Sequence, residues 1–344
     1  MNPKAVLALG ALALIVLTMA LLIGRQYGDV GEPADEALLP GLREQVNDIE
    51  AIDIFGPDGE RVVALRRERE RWRVREKSGF EADFVLIHDL LRDLSEARRH
   101  DERTSNPDWY ARLGVADPGT EGSDGVIVRF PETELPGVII GQADSAGIGR
   151  FARIVDESPS WLIDRSPEVP ATVLGWLERA VMDIPASALA EITIRHPDGD
   201  TVRLRPAGED NDQWVLLGVP DGREAAPAWQ IQPLSGALSG LEFENVRVHD
   251  SIPGDAVRAL YRTRDGLNFV ASLFRDDEAH WLHFSVSAET AARDTDEMDD
   301  EATQLAIDAA AVDGRLSPWQ FAITEDRYDR MTRRLEDLLA DPET

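Results

Sequence analysis

The chain has 344 residues, 36 basic and 65 acidic side chains, a formal net charge of −29 and no cysteine. At 43% hydrophobic and 29% charged it can bury a core, which excludes wholesale disorder, and its length suits about two domains of roughly 150 residues each. The charge argues against nucleic acid as a partner, and the missing cysteine removes disulfides, thiolate zinc sites, cysteine nucleophiles and lipid attachment at a lipoprotein cysteine. Every cation except Lys4 and Lys77 is an arginine. GC-rich codon usage and a saline exterior both produce that bias, with codon usage ranked first.

Ala5 to Ile23 is a run of 19 uncharged residues rich in Leu, Ala, Val and Ile. As a helix it spans roughly 28 Å, close to one hydrocarbon core. The run exceeds the apolar core of a secretory signal, and the best small-residue cleavage site, after Ala20, falls inside it. An uncleaved anchor is therefore favoured over a cleaved signal. Lys4 and the terminal amine precede the run, while Asp29, Glu32, Asp35 and Glu36 follow Arg25. The positive-inside tendency places residues 1–4 in the cytoplasm and the body outside, a single pass through the inner (cytoplasmic) membrane with a periplasmic body in a Gram-negative host. Residues 24–38, rich in Gly, Pro and acid, are expected to be a linker.

The body repeats itself. Ile49-Glu-Ala-Ile-Asp-Ile-Phe-Gly-Pro57-Asp58-Gly59 aligns with Leu189-Ala-Glu-Ile-Thr-Ile-Arg-His-Pro197-Asp198-Gly199 at a constant offset of 140 residues. Alternating apolar positions (Ile52 and Ile54; Ile192 and Ile194) enter a Pro-Asp-Gly turn in both copies, a hairpin signal because Pro presets φ and Asp-Gly tolerates positive φ. A third strand is expected at Trp72 in the first copy and Trp214 in the second. A helix follows, capped by Asp83, with Phe84, Ile87, Leu90, Leu91 and Leu94 as its apolar stripe. Its counterpart at Trp229–Leu241 is disturbed by Pro233.

Further strands are expected at 125–130, 136–141, 150–156 and 161–164, then at 267–274, 280–287 and 319–323. Each copy is expected to close with an amphipathic helix. The first would run through Val173, Leu174, Leu177, Ala180 and Val181; the second would start near Thr324 and carry Tyr328, Met331, Leu335 and Leu338. The fold class is α+β: one N-terminal transmembrane helix, then two tandem similar units, 39–184 and 185–344, with mostly antiparallel sheets. The copies differ most at about 288–314. Glu289, Asp294, Asp296, Glu297, Asp299, Asp300 and Glu301 there face a lone Arg293, and this insertion is expected to be a solvated, mobile loop.

Candidate chemistry is sparse. Asp294-Thr-Asp296-Glu-Met lacks the glycine and third ligand of a calcium loop. His280-Trp-Leu-His283 has metal-ligand spacing only on a helix, and the Phe284-Ser-Val286 alternation makes it a strand, where residues three apart oppose. His88, His100, His196 and His249 have no companion at ligand spacing, and His88 is expected to pack at the edge of a helical stripe. Gly141-Gln-Ala-Asp-Ser-Ala-Gly147-Ile-Gly149 lies between strands and lacks the lysine of a phosphate loop, so it is expected to be a hairpin loop. Paired carboxylates carry no specific signal among 65 acids. Trp72 and Trp214 recur at equivalent strand positions, as core packing requires. Arg71, Arg73, Arg75 and Lys77 alternate with Trp72 and Val74, which would make one strand face cationic.

Leu39-Pro-Gly-Leu42, Val46-Asn-Asp-Ile49, Trp72 and Gly79-Phe80-Glu-Ala-Asp83 together resemble the opening of the uncharacterised bacterial domain-of-unknown-function 4340 family. Thr104-Ser-Asn-Pro-Asp-Trp-Tyr110-Ala-Arg-Leu-Gly-Val115 is the most characteristic stretch, and Trp176 to Pro185 leads into the second copy in the same way. The resemblance covers about 39–340 and is strongest before 120. Glu81 departs from a usual proline, and Arg103 from a frequent lysine. The resemblance implies an anchored envelope protein, often encoded beside gliding-motility-type ABC-transporter components.

The expectation is a membrane-anchored extracytoplasmic accessory, scaffold or binding subunit of an ABC-type envelope system, held by Ala5 to Ile23 and contacting protein partners in an envelope complex. It is not expected to be an enzyme, and no catalytic, cofactor or metal residue is assigned. The alternatives are an envelope hydrolase using paired carboxylates and a purely structural envelope protein.

Overall fold

The computed structural model describes residues 36–208, 211–289 and 300–340. The expected N-terminus 1–4, anchor Ala5–Ile23, most of the 24–38 linker and the acids Asp294 to Asp299 lie outside the described residues. Among the described residues no helix is long and apolar enough to cross a membrane. The chain divides into two compact units. One runs through Arg73 and resumes over Ala82–Trp176; the other comprises Val74–Glu81 and the chain from Leu177.

In the first unit, β1 (Ala51–Phe55) and β2 (Arg61–Glu68) form the expected hairpin. Gly59 takes φ 85°, and the Gly56 amide donates to the Glu60 carbonyl across the turn. The Asp58 carboxylate accepts from the Glu60 amide at 3.0 Å. The strands β3 (Arg71–Val74), β5 (Arg99–Thr104), β6 (Val126–Arg129), β7 (Val138–Ala143), β8 (Arg150–Ile154) and β9 (Ser160–Ile163) complete a sheet in the order β3-β2-β1-β6-β7-β8-β9-β5. The short β4 (Phe80–Glu81) is counted with the second unit. Ile52, Ile54, Val63 and Leu65 are buried on the inner face, each contributing about 1.5–3 kcal/mol on transfer from water.

The chain between β3 and β5, which holds helix Phe84–Glu96, joins opposite ends of the strand order, so it has to traverse the sheet. Its cap is the expected one, with the Asp83 carboxylate accepting from the Leu86 amide at 3.0 Å. Ile87, Leu90, Leu91 and Leu94 are buried, but Phe84, expected in the stripe, is 59% exposed. At the first residue the stripe has already rotated off the core. The linker ends earlier than expected: Leu38 is buried and its amide donates to the Ala97 carbonyl.

In the second unit, β11 (Leu189–Arg195), β12 (Thr201–Gly208), β13 (Asn211–Leu217), β15 (Asn245–Val248), β16 (Val257–Thr263), β17 (Leu267–Asp276), β18 (Ala279–Ala288) and β19 (Trp319–Ile323) are ordered β13-β12-β11-β16-β17-β18-β19-β15. Strand for strand this is the order in the first unit, and neighbouring strands pair antiparallel in both. The turn repeats too. Gly199 has φ 95°, the His196 amide donates to the Asp200 carbonyl, and the Asp198 carboxylate accepts from the Asp200 amide. Trp72 and Trp214 are both buried, as core packing required. A two-stranded piece pairs β10 (Ala180–Met182) with β14 (Leu241–Glu242).

Three further expectations about helices and loops need correction. The helix expected through Val173–Val181 is a 3-10 turn, Val173–Trp176, followed by β10. Gly175 and the β-branched Val173 and Val181 favour this, and the Trp176 indole fixes the turn by donating to the Pro170 carbonyl at 3.0 Å. The insertion at 288–314 is not wholly a loop, because Asp300–Leu316 is a helix. The alanine-rich second half overrides the acidic first half, and Ala309 and Leu316 are buried. The last helix begins after Thr324, whose hydroxyl accepts from the Arg327 amide. It ends at Met331, so Leu335 and Leu338 lie beyond it, and the buried Leu338 belongs to a separate 3-10 turn.

Candidate functional site

Each sheet has an outer face, carrying Asp53 and Phe55 in the first unit and Thr193 and Arg195 in the second. In the first unit the 21-residue connection from β5 to β6, residues 105–125, covers that face. Asn106 caps a 3-10 turn, its side chain accepting from the Asp108 amide at 3.1 Å. One helical turn, Tyr110–Leu113, follows and stops at Gly114 with φ 68°. Tyr110, Val115 and Ala116 form a buried cluster with Ile127 and Ile139, against which Phe55, Leu113 and Phe151 pack.

Arg153, 3% exposed, fastens the cover. Its guanidinium donates to the Val115 and Glu157 carbonyls, each at 2.9 Å, and pairs with Asp117. Tyr110 lies under it, 4.5 Å from ring centroid to guanidinium carbon, and donates its hydroxyl to the Ser158 carbonyl. The characteristic Thr104–Val115 stretch is therefore the lid of a sheet face. Gly141 permits the close fit: a Cβ there would stand 2.3 Å from the Leu113 carbonyl oxygen.

In the second unit the equivalent connection, 249–256, has 8 residues. It crosses from the β15 edge to β16 with no slack for a helical turn. It covers only a patch of Phe274, Trp281 and Ala322, with Ile252 and Ala256. A polar network lies beside that patch. The Arg247 guanidinium sits 3.8 Å from the Trp281 ring centroid and donates to Gln320 at 2.7 Å and Asp276 at 2.6 Å. The Gln320 amide nitrogen donates to the Ser251 carbonyl and lies 3.2 Å from His249 Nδ1. His249 stacks on His283 at 3.9 Å, and His283 Nδ1 lies 3.0 Å from the Trp319 carbonyl. Burial holds His283 below the ordinary imidazole range, against the opposing bond to Trp319.

Among the described residues the 8-residue connection leaves the rest of this outer face without a comparable cover. A trough of about 360 Å³ has Leu260 and Val270 in its floor, and along its rim Arg262 pairs with Glu191 and with Glu289 at 3.2 Å. On the other side Arg195 stands directly across from Arg258, and Arg203 across from Thr193. Arg205 faces Val215. The four arginines are exposed. The first unit has different chemistry at the corresponding register positions. Phe55 pairs with Ile127 and Asp53 with Ala64, and Arg66, in the place of Arg205, is neutralised by Asp53 at 2.6 Å.

Other candidate residues are scattered. Residues 144–149 form the expected hairpin loop, closed by the Asp144 amide on the Gly149 carbonyl. His280 and His283 lie on a strand and point to opposite faces, with His280 beside Tyr328. His88 does not pack into the core; it is exposed next to Asp89 and stacks on the equally exposed Phe84. The cationic stripe is shorter than expected. β3 ends at Val74 and Arg75–Lys77 form a 3-10 turn, so the strand face holds only Arg71 and Arg73. Lys77 instead donates to the Asn245 side chain at 2.6 Å, and burial lowers its pKa. Among the described residues no group of three or more His, Asp or Glu is placed to hold a metal ion. The two outer faces were missed by sequence reasoning, although the unequal β5–β6 and β15–β16 connections were a legible signal.

The fold defines an α+β protein with mostly antiparallel sheets. The family model for a domain of unknown function, DUF4340, matches residues 72–261, more than half of the chain, and the protein belongs to that family. No curated protein and no solved structure matches it.

Proposed function

We propose that this protein is a membrane-tethered extracytoplasmic binding or scaffold subunit of an ABC-type envelope system, held by Ala5 to Ile23, with a body that arose by duplication of one α+β unit. The duplication is supported by the common strand order and the repeated Asp-Gly turn. One observation carries the binding role: a sheet face that the first unit closes with its own chain is, among the described residues, left open in the second. A bare face with an apolar trough suits a partner, whereas a purely structural duplicate would keep the lid.

Mild-detergent purification of the full-length protein from its native membrane tests this reading. Co-purification of integral-membrane ABC components in fixed ratio is the expected result. Recovery of the bait alone would overturn it. Deleting Ala5–Ile23 behind a cleavable export signal is expected to move the body from the membrane to the soluble extracytoplasmic fraction.

A further inference from the structure

We infer that the outer face of the second sheet binds an acidic, Asp- and Glu-rich segment of a partner protein, laid across β16, β11 and β12. This rests on the binding-subunit reading and names the chemistry of its partner. Arg258, Arg195, Arg203 and Arg205 occupy one face of three adjacent strands, with Arg195 and Arg258 paired directly across from each other. Like charges in that position destabilise a sheet. The chain holds 65 carboxylates, yet among the described residues none of the four is in an ion pair, while Arg262 and Arg247 on the same face are both neutralised. The first unit supplies the comparison. Phe55, Ile127 and Ala64 stand at the places of Arg195, Arg258 and Arg203, and the lid packs on Phe55 and Ile127. At these three positions the second unit carries side chains of one sign, and its shorter connection leaves them exposed among the described residues.

Charge complementarity selects the occupant. Strand spacing of about 4.8 Å and about 6.8 Å between alternate residues set the guanidinium stems on a grid that an extended peptide of roughly eight residues can follow. Each carboxylate can then meet a planar fork of donors. Leu260, Val270 and the exposed Val215 add apolar footing beside the charges. An anionic membrane surface fits less well, since it would meet the field of the whole −29 body, whereas one segment meets the patch alone.

The test uses the full-length protein in detergent and a fluorescent octapeptide of Glu and Asp with interspersed Leu. Its Gln/Asn isostere and phosphatidylglycerol vesicles are the comparison probes. The acidic peptide is expected to bind with an affinity that falls as salt rises, and the isostere not to bind. Arg195→Gln with Arg258→Gln is expected to weaken binding about tenfold with a melting temperature unchanged or raised, since the like-charge pair is removed. Arg43→Gln with Arg92→Gln, the same charge change elsewhere, should leave binding intact. Arg195→Lys with Arg258→Lys retains the charge and should keep most of the binding. Equal binding of the isostere, indifference to the Arg195/Arg258 pair, or arginine-dependent binding of vesicles in place of the peptide would each overturn the inference. The binding-subunit reading would survive those results if ABC components still co-purify, and fails separately if they do not.

Discussion

The Arg153 guanidinium carbon lies over the Tyr110 ring, 4.5 Å from its centroid, in the first unit. Strand β8 and the lid that covers the sheet are locked together at this contact. The guanidinium also satisfies two lid and loop carbonyls, of Val115 and Glu157. Arg153→Met keeps the stem and removes the fork, leaving those carbonyls and Asp117 without their donor. Equilibrium urea unfolding is expected to show a loss of about 2–4 kcal/mol, with Arg153→Lys intermediate. A variant as stable as the parent would show that the lid is held by apolar contact alone.

The glycines of the β7–β8 region are expected to separate into two kinds. A Cβ at Gly141 would stand 2.3 Å from the Leu113 carbonyl oxygen, and one at Gly149 1.8 Å from that of Ile163. Gly141→Ala and Gly149→Ala must push backbone apart and should each cost about 2–4 kcal/mol. Gly147 has φ 74° but open space around it, so Gly147→Asn should cost less than about 1 kcal/mol. Melting temperatures of the three variants check the order.

Asp83→Ala removes the side-chain acceptor at the start of helix Phe84–Glu96 and is expected to cost about 1 kcal/mol. Asp83→Asn keeps the acceptor and should cost clearly less. Urea midpoints at constant m-value read the difference.

His283 predicts a pH dependence with a definite sign. Its folded pKa is lowered by burial, with His249 adding to the effect and the Trp319 carbonyl and Asp313 opposing it. Below about pH 6.5 the unfolded imidazole takes up a proton that folded His283 resists. Its contribution is therefore complete above that pH and is lost as pH falls toward the lower folded value. Unfolding free energy measured between about pH 7 and pH 5.5 should decline, and His283→Asn should make the decline shallower. An unchanged slope would assign the pH dependence to other groups.

Much of the architecture was legible because it depends on short-range chemistry. Alternation at Ile52 and Ile54 and at Ile192 and Ile194, the Pro-Asp-Gly turns and the Asp83 cap act within a few residues of chain. Boundaries set by competition were not. Val173–Val181 has helical spacing of its apolar residues, but pairing with Leu241–Glu242 drew Ala180–Met182 into a strand. The helix at Asp300–Leu316 was hidden behind the acidic residues before it, and the exposure of Phe84 and His88 depended on where the stripe met the core.

The functional surface followed the same division. The apolar run at Ala5–Ile23, the 140-residue offset between the two Pro-Asp-Gly segments, the family resemblance and the absence of cysteine chemistry could be read from the chain, since these are local or compositional properties. Only the tertiary structure decided which arginines share a face. Arg195, Arg203 and Arg258 become neighbours through antiparallel pairing of strands up to 63 residues apart in the chain. Register, not proximity in sequence, gathers that charge, and the length of one connection leaves it uncovered.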